Sequence, residues 1–300
     1  MPSIGGPVMG NGFFDREKEL RDVLKSLKED NVLLIAPRRY GKTSLMREVE
    51  RRLCKKKYPC LFLDVMYIDK PKEFIIELAD ASFTESSHSR RQKLVRALKG
   101  AFSAVEEIDV STMGSEARVK FRAALKGEID EDNWTNKGEE ILRAIIREYD
   151  NKPVYILIDE LSECVNNMVK RDRDATRFLQ WFRSMRQQMV GELRFVVGGS
   201  VSFDRVVRGI NGLSFINDFR RVHIEGFSKR DAMKFIEKCL TDEGLKFDEE
   251  IGEKILECIG EPYIPYFISV FLNMLIQGYT GVLNAGYVKR VYDEGLLGVY

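Results

Sequence analysis

The sequence predicts an α/β fold: a parallel, doubly wound sheet flanked by helices and followed by a small helical domain. Three observations predict it. Short, uniformly apolar runs alternate with amphipathic segments up to about residue 226, as expected for strands buried on both faces and joined by helices. One such run leads directly into a glycine-bearing loop and a helix, and another ends in Asp159-Glu160. After Gly226 the pattern becomes helical, punctuated by Gly244, Gly260 and Gly278.

A first helix starts at Asp15-Arg16-Glu17, where Leu20, Val23, Leu24 and Leu27 keep the helical period. Residues 32–35 form a short strand, 37–41 a loop and 44–53 a helix. A second strand over 60–66 leads into a helix from Pro71, a residue suited to a first helical turn. The rhythm is lost over 86–135, which reads as an insertion at the domain edge. There 90–104 suits a helix, and 108–111 and 118–121 flank a hairpin turn at Met113-Gly114-Ser115. It returns with a helix over 139–148, a strand over 154–158, a long helix over 172–190, a strand over 194–197 and a last core strand over 221–224. Ser228 and Asp231 then cap a helix over 231–240, with further helices over 249–259, 265–276 and 287–292. The expected division is a core, residues 1–226, and a helical domain, residues 227–300.

Composition narrows the function. The 48 Lys and Arg against 47 Asp and Glu give no overall pull toward a polyanion. Cys54, Cys60, Cys164, Cys239 and Cys258 form no C-x-x-C pair, and His88 and His223 are the only histidines. A zinc site or disulfide framework is not expected, and a reducing cytoplasm suits the chain. The first twelve residues lack an apolar signal core. The longest apolar stretch, 263–276, holds Pro265 and is too short to span a bilayer, so no membrane association is expected.

The strongest chemical signal is Ala36-Pro-Arg-Arg-Tyr-Gly-Lys-Thr43, which matches G-x-x-x-x-G-K-[ST] except for Ala36 in place of the first glycine. The candidate cradle runs from Ala36 and Pro37 through Arg38, Arg39, Tyr40 and Gly41 to Lys42, Thr43 and Ser44. Its backbone N–H groups and the following helix dipole favour phosphate. Gly41 permits close approach, Lys42 reaches the β- and γ-phosphates, and Thr43 offers a hydroxyl to Mg²⁺. The alanine is harmless if its φ stays negative.

The second signal is Val154-Tyr-Ile-Leu-Ile-Asp-Glu160. Asp159, at the carboxyl end of a buried strand, suits the Mg²⁺ shell, and Glu160 suits orienting an attacking water. Ser200, ending the next strand, stands as a candidate contact to the γ-phosphate or water, with Ser202 as the alternative. Phe219-Arg-Arg-Val-His223 precedes the last strand and offers Arg220 or Arg221 as a finger toward a neighbouring subunit. No Asn-Lys-x-Asp guanine reader follows the acidic strand, and Asn136-Lys137-Gly138-Glu139 is misplaced for one, so ATP is favoured over GTP. Two basic clusters, Arg90, Arg91, Lys93, Arg96 and Lys99, and Arg118, Lys120, Arg122 and Lys126, offer DNA phosphate contacts or simply solvated helix faces.

These motifs together resemble the archaeal ATPase group (the MNS clade) of the AAA+/STAND P-loop NTPases. The matching pieces are Phe13-Phe-Asp-Arg-Glu17, Ala36-Pro-Arg-Arg-Tyr-Gly-Lys-Thr-Ser-Leu45, Ile156-Leu-Ile-Asp-Glu160, Gly198-Gly-Ser200 and Phe219-Arg-Arg221. The resemblance implies hydrolysis of ATP to ADP and phosphate, a helical lid, and a nucleotide-controlled switch or a DNA-associated ATPase, working with a protein partner or in a homo-oligomer. It places Phe13, Phe14 and Arg16 near the adenine, makes Ser200 the sensor 1 residue, and sets Pro265, or else Pro262, in the lid against the nucleotide. Two departures stand out. The lid helix 266–276 contains no arginine for sensor 2, and residues 279–300 are too few for the winged-helix domain that often follows in relatives.

Overall fold

The computed structural model describes residues 13–14, 16–85, 88–99, 102, 115–149, 152–171, 174–279, 281 and 283–296. Five strands form one sheet: β1 (Asn31–Ile35), β2 (Cys60–Asp64), β3 (Val154–Asp159), β4 (Leu193–Gly199) and β5 (Phe219–His223). Their order is β2-β3-β4-β1-β5, and β2, β3, β4 and β1 run parallel. All six residues of β3 are buried, which accounts for its lack of polar alternation.

The helices are α1 (Glu17–Ser26), α2 (Lys42–Lys55), α3 (Pro71–Glu85), α4 (His88–Lys99), α5 (Ser115–Glu128), α6 (Trp134–Glu148), α7 (Leu161–Lys170), α8 (Ala175–Gln188), α9 (Phe203–Gly209), α10 (Lys229–Asp242), α11 (Glu249–Ile259), α12 (Pro265–Gln277) and α13 (Ala285–Val291). The parallel α/β architecture expected from the sequence is present. Among the described residues no helix is long and apolar enough to cross a membrane.

Three expectations are corrected. Residues 118–121 belong to α5 and not to a hairpin strand. Ala117, Phe121 and Leu125 are buried at four-residue spacing, so the apolar period is helical. The other proposed hairpin strand, 108–111, and the turn residues Met113 and Gly114 lie outside the described residues. Phe219 to His223 do not precede the last strand but form it, as an edge strand whose Arg220, Arg221 and His223 are exposed. Finally, a ten-residue helix, α7, stands before the long helix of the sequence reading. Its buried Leu161, Cys164, Val165 and Met168 keep the i, i+3, i+4, i+7 spacing.

The described residues divide into two compact units within the following ranges. One comprises residues 22–35 and 49–222 and contains β1 to β4. Its apolar cluster joins β1, β2, β3 and β4 to α3, α6, α7 and α8, and also takes in Leu94, Val95 and Leu98 of α4 and Phe121 and Leu125 of α5. Asp80, fully buried on α3, accepts from Arg118 Nη2 at 2.7 Å and from Arg122 Nη1 at 2.8 Å, tying α5 to α3. The other unit comprises residues 1–21, 36–48 and 223–300. Its cluster is built from α10, α11, α12 and α13, with Phe14 packed against it. Ser228 caps α10 by accepting the Asp231 N–H at 3.1 Å. Asp248 caps α11 in the same way through Ile251 N–H.

Candidate functional site

Parallel pairing brings the carboxyl ends of β1, β4 and β3 to one edge of the sheet. Leu33 pairs with Val197, and Val197 with Ile158; Ile35 pairs with Gly199. Asp159 thus ends β3 while Ser200 follows the end of β4, the strand that separates β3 from β1. Two strand spacings, about 10 Å, separate the β1 and β3 backbones. The loop that begins at Ala36 leaves from the end of β1.

The geometry of Asp159 and its neighbours follows from an abrupt reversal. β3 stops at Asp159 and α7 starts at Leu161, so Glu160 alone makes the turn. It does so in the left-handed region, at φ 60° and ψ 30°, a conformation that costs a non-glycine residue about 1–2 kcal/mol. The Glu160 carbonyl accepts the N–H groups of Glu163 and Cys164 at 3.0 and 3.1 Å. Its own N–H donates to Asp159 Oδ1 at 3.0 Å. Asp159 is 3% exposed, while Glu160 is half-buried. A strained carboxylate-bearing residue at a strand end is the pattern seen where function overrides backbone preference.

Ser200 is held by two contacts. Its N–H donates to Ser162 Oγ at 2.9 Å, and its Oγ lies 2.8 Å from Ser202 Oγ. Ser202 is the N-cap residue of α9. The two serines considered for one role are therefore hydrogen-bonded to each other.

The arginines of β5 differ. Arg221 Nη1 donates to Asp204 Oδ2 at 2.5 Å, whereas Arg220 is exposed. Just before β5, Asp218 accepts from Nε and Nη2 of the buried Arg186 of α8 at 2.9 and 2.7 Å, and Arg186 packs against the rings of Phe182 and Phe219. Burial lowers the pKa of Arg186, and its bond to Asp218 opposes that shift.

In the other unit the loop itself is well defined. Gly41 has φ +87°, and a Cβ placed there would touch nothing within 4 Å, so backbone conformation and not space calls for glycine. Arg39 takes φ 74° without being glycine. Ala36 is not among the positive-φ residues, so it fits the position of the missing first glycine without strain. Lys42, the first residue of α2, is 8% exposed. Arg39 stacks on Tyr266 and Phe267 at the start of α12, its Cζ 4.5 and 5.7 Å from the ring centres. Pro265 occupies the first turn of the same helix.

The N-terminal segment meets the loop and the helical cluster within this unit. Arg16 Nη2 donates to the Tyr40 carbonyl at 3.2 Å, and Arg16 Cζ lies 4.9 Å from the Phe227 ring centre. Phe14 contacts the rings of Phe227 and Phe235 at 6.0 and 5.3 Å. Phe227, Phe235, Ser162 and Asp204 were absent from the sequence reading. Phe235 alone carried a signal, as an apolar position within the helix after Ser228; Phe227 and the two polar residues carried none. Among the described residues no group of three or more His, Cys, Asp or Glu side chains is placed to hold a metal.

No curated protein sequence matches the chain significantly. Its fold is shared with the Walker-type ATPase PABY2304 of Pyrococcus abyssi, at 16% identity over 99% of this chain and 76% of that one, with a TM-score of 0.63. It is also shared with the ADP form of Aeropyrum pernix ORC2, at 12% identity over 95% and 71% of the two chains and a TM-score of 0.58. The A. pernix ORC1 protein in complex with DNA follows, at 13% identity over 96% and 66% and a TM-score of 0.52. At such identities the likeness is one of fold. The profile of an ATPase domain predominantly from Archaea, however, matches residues 13–263, a span that holds the loop, Asp159-Glu160, Ser200 and both β5 arginines. The chain belongs to this archaeal ATPase family, has the P-loop NTPase fold, and is an ATPase.

Proposed function

We propose that the chain is a nucleotide-controlled switch in which ATP or ADP at the loop sets the state of the helical unit. Lys42 and the loop amides hold the phosphates, and Phe14 and Arg16 lie toward the base. Glu160 orients the attacking water, Ser200 contacts the γ-phosphate or that water, and Pro265 faces the nucleotide from α12. Arg220, exposed on the edge strand, reaches a second copy of the chain; Arg221 is engaged by Asp204. In this reading Thr43 and Asp159 would hold Mg²⁺, which binds through few protein oxygens completed by phosphate oxygens and water. That ion would supply charge neutralisation on the β- and γ-phosphates.

The observation that supports the switch is the stacking of Arg39 on Tyr266. A residue of the phosphate loop already touches the first turn of α12, so a phosphate drawing on the Arg39 charge competes with that ring. Amide hydrogen exchange across residues 263–267, with ADP and then a non-hydrolysable ATP analogue, tests this. The reading expects different protection in the two states; equal protection contradicts it.

The alternative, an ATPase acting on DNA, draws support from the likeness to ORC1 and from Lys93, Arg96, Lys120 and Lys126, which are exposed. Arg118 and Arg122 of the same cluster are instead paired with Asp80 and Glu77. The side chains of Arg90, Arg91 and Lys99 lie outside the described residues. A steep fall in duplex-DNA affinity with salt would favour this alternative.

A further inference from the structure

We infer that Ser162 is a positioning residue for hydrolysis, locking the strand end that carries Ser200 to the helix that begins at Glu160. The inference rests on the roles proposed for Glu160 and Ser200.

Three facts converge on this hydroxyl. Ser162 is the second residue of α7 and is 2% exposed, among Leu161, Cys164 and Val165, which are fully buried. A serine in such apolar surroundings needs a partner. It finds one outside its own helix, accepting the Ser200 N–H at 2.9 Å. That N–H is the first beyond β4, whose pairing with β1 runs out at Gly199 opposite Ile35. Ser162 therefore supplies the acceptor that the sheet no longer provides.

The consequence is geometric. Glu160 has its carbonyl fixed by the first turn of α7 and its N–H fixed by Asp159. Only Leu161 stands between it and Ser162. The bond from Ser162 to Ser200 thus closes a short bridge between the residue assigned to the water and the residue assigned to the γ-phosphate or water. Ser200 in turn holds Ser202 through their hydroxyls. Catalytic groups misplaced by an ångström lose large rate factors, while ground-state binding through the loop is untouched. Ser162 contacts neither reactant; it keeps the two groups in register.

The test is a series at one position in the full chain: Ser162→Thr retains the acceptor oxygen, Ser162→Cys weakens it and Ser162→Ala removes it. Steady-state ATP turnover, KM for ATP, ADP affinity and thermal midpoint are measured for each. Turnover is expected to fall with acceptor strength, by about ten- to a hundred-fold for Ser162→Ala, while KM and ADP affinity stay within about two-fold of the parent. Thermal midpoints are not expected to follow the same order, because Thr and Cys both add bulk to a packed site. If one variant fails to fold, the other two still give the order. Turnover of Ser162→Ala within two-fold of the parent, or equal losses in Thr and Ala, overturns the inference. Glu160→Gln, assayed alongside, separates the two levels: if it is inactive while Ser162→Ala is not, only the Ser162 role fails. If Glu160→Gln is fully active, the underlying site reading fails.

Discussion

The guanidinium of Arg39 lies 4.5 Å from the ring centre of Tyr266, joining the phosphate loop to the first turn of α12 within one compact unit. Such a stack at a partly exposed site contributes about 0.5–1 kcal/mol. Arg39→Ala and Tyr266→Leu should each lower the urea-unfolding stability of the nucleotide-free chain by about that amount. The double variant should lose less than the sum, since both remove one interaction. Strict additivity would show that the two side chains do not communicate.

Glu160 separates strain from chemistry. Glycine adopts φ 60° freely, so Glu160→Gly relieves the left-handed penalty and offsets it with greater freedom in the unfolded chain. Unfolding free energy is expected to hold or rise, by up to about 1 kcal/mol, while turnover is lost with the carboxylate. A fall in stability beyond that range would mean the Glu160 side chain is a structural brace.

The Asp80 cluster should behave asymmetrically. Arg118→Ala with Arg122→Ala leaves a fully buried carboxylate with neither arginine, and the expected loss is about 3 kcal/mol or more. Asp80→Asn leaves two arginines that are partly exposed and can hydrate, so its cost should be smaller, about 1–2 kcal/mol. Urea titration checks the ranking. The reverse order would contradict the assignment of α5 as a helix pinned to α3 through Asp80.

Much of the architecture was legible because burial on both faces leaves a plain mark: β1 and β3 read as unbroken apolar runs. The loop between β1 and α2 was legible because Pro37 to Gly41 interrupt the apolar pattern between strand and helix; its proposed phosphate role rests on glycine, lysine and a hydroxyl at set spacing. α7 was missed because its start is marked by no Ser, Thr or Asp cap; Glu160 enters it through a left-handed turn with no side-chain bond. The false hairpin came from a turn-like Met113-Gly114-Ser115 beside residues whose apolar period is helical. β5 begins two residues before the expected 221, because an edge strand can expose arginines that in the sequence suggest a flank. The pairings of Ser162 with Ser200 and of Arg221 with Asp204 join residues 38 and 17 positions apart. Local periodicity carries no trace of either.

In the proposed mechanism one nucleotide is held by the loop at Lys42 and cleaved with the help of Glu160. The most direct measurement follows ATP binding and phosphate release in parallel, with Mg²⁺, for the parent chain, Lys42→Ala and Glu160→Gln. Lys42→Ala is expected not to bind ATP, and Glu160→Gln to bind it as the parent does but to release phosphate at least about a hundred-fold more slowly. Phosphate release by Glu160→Gln at the parent rate would contradict it.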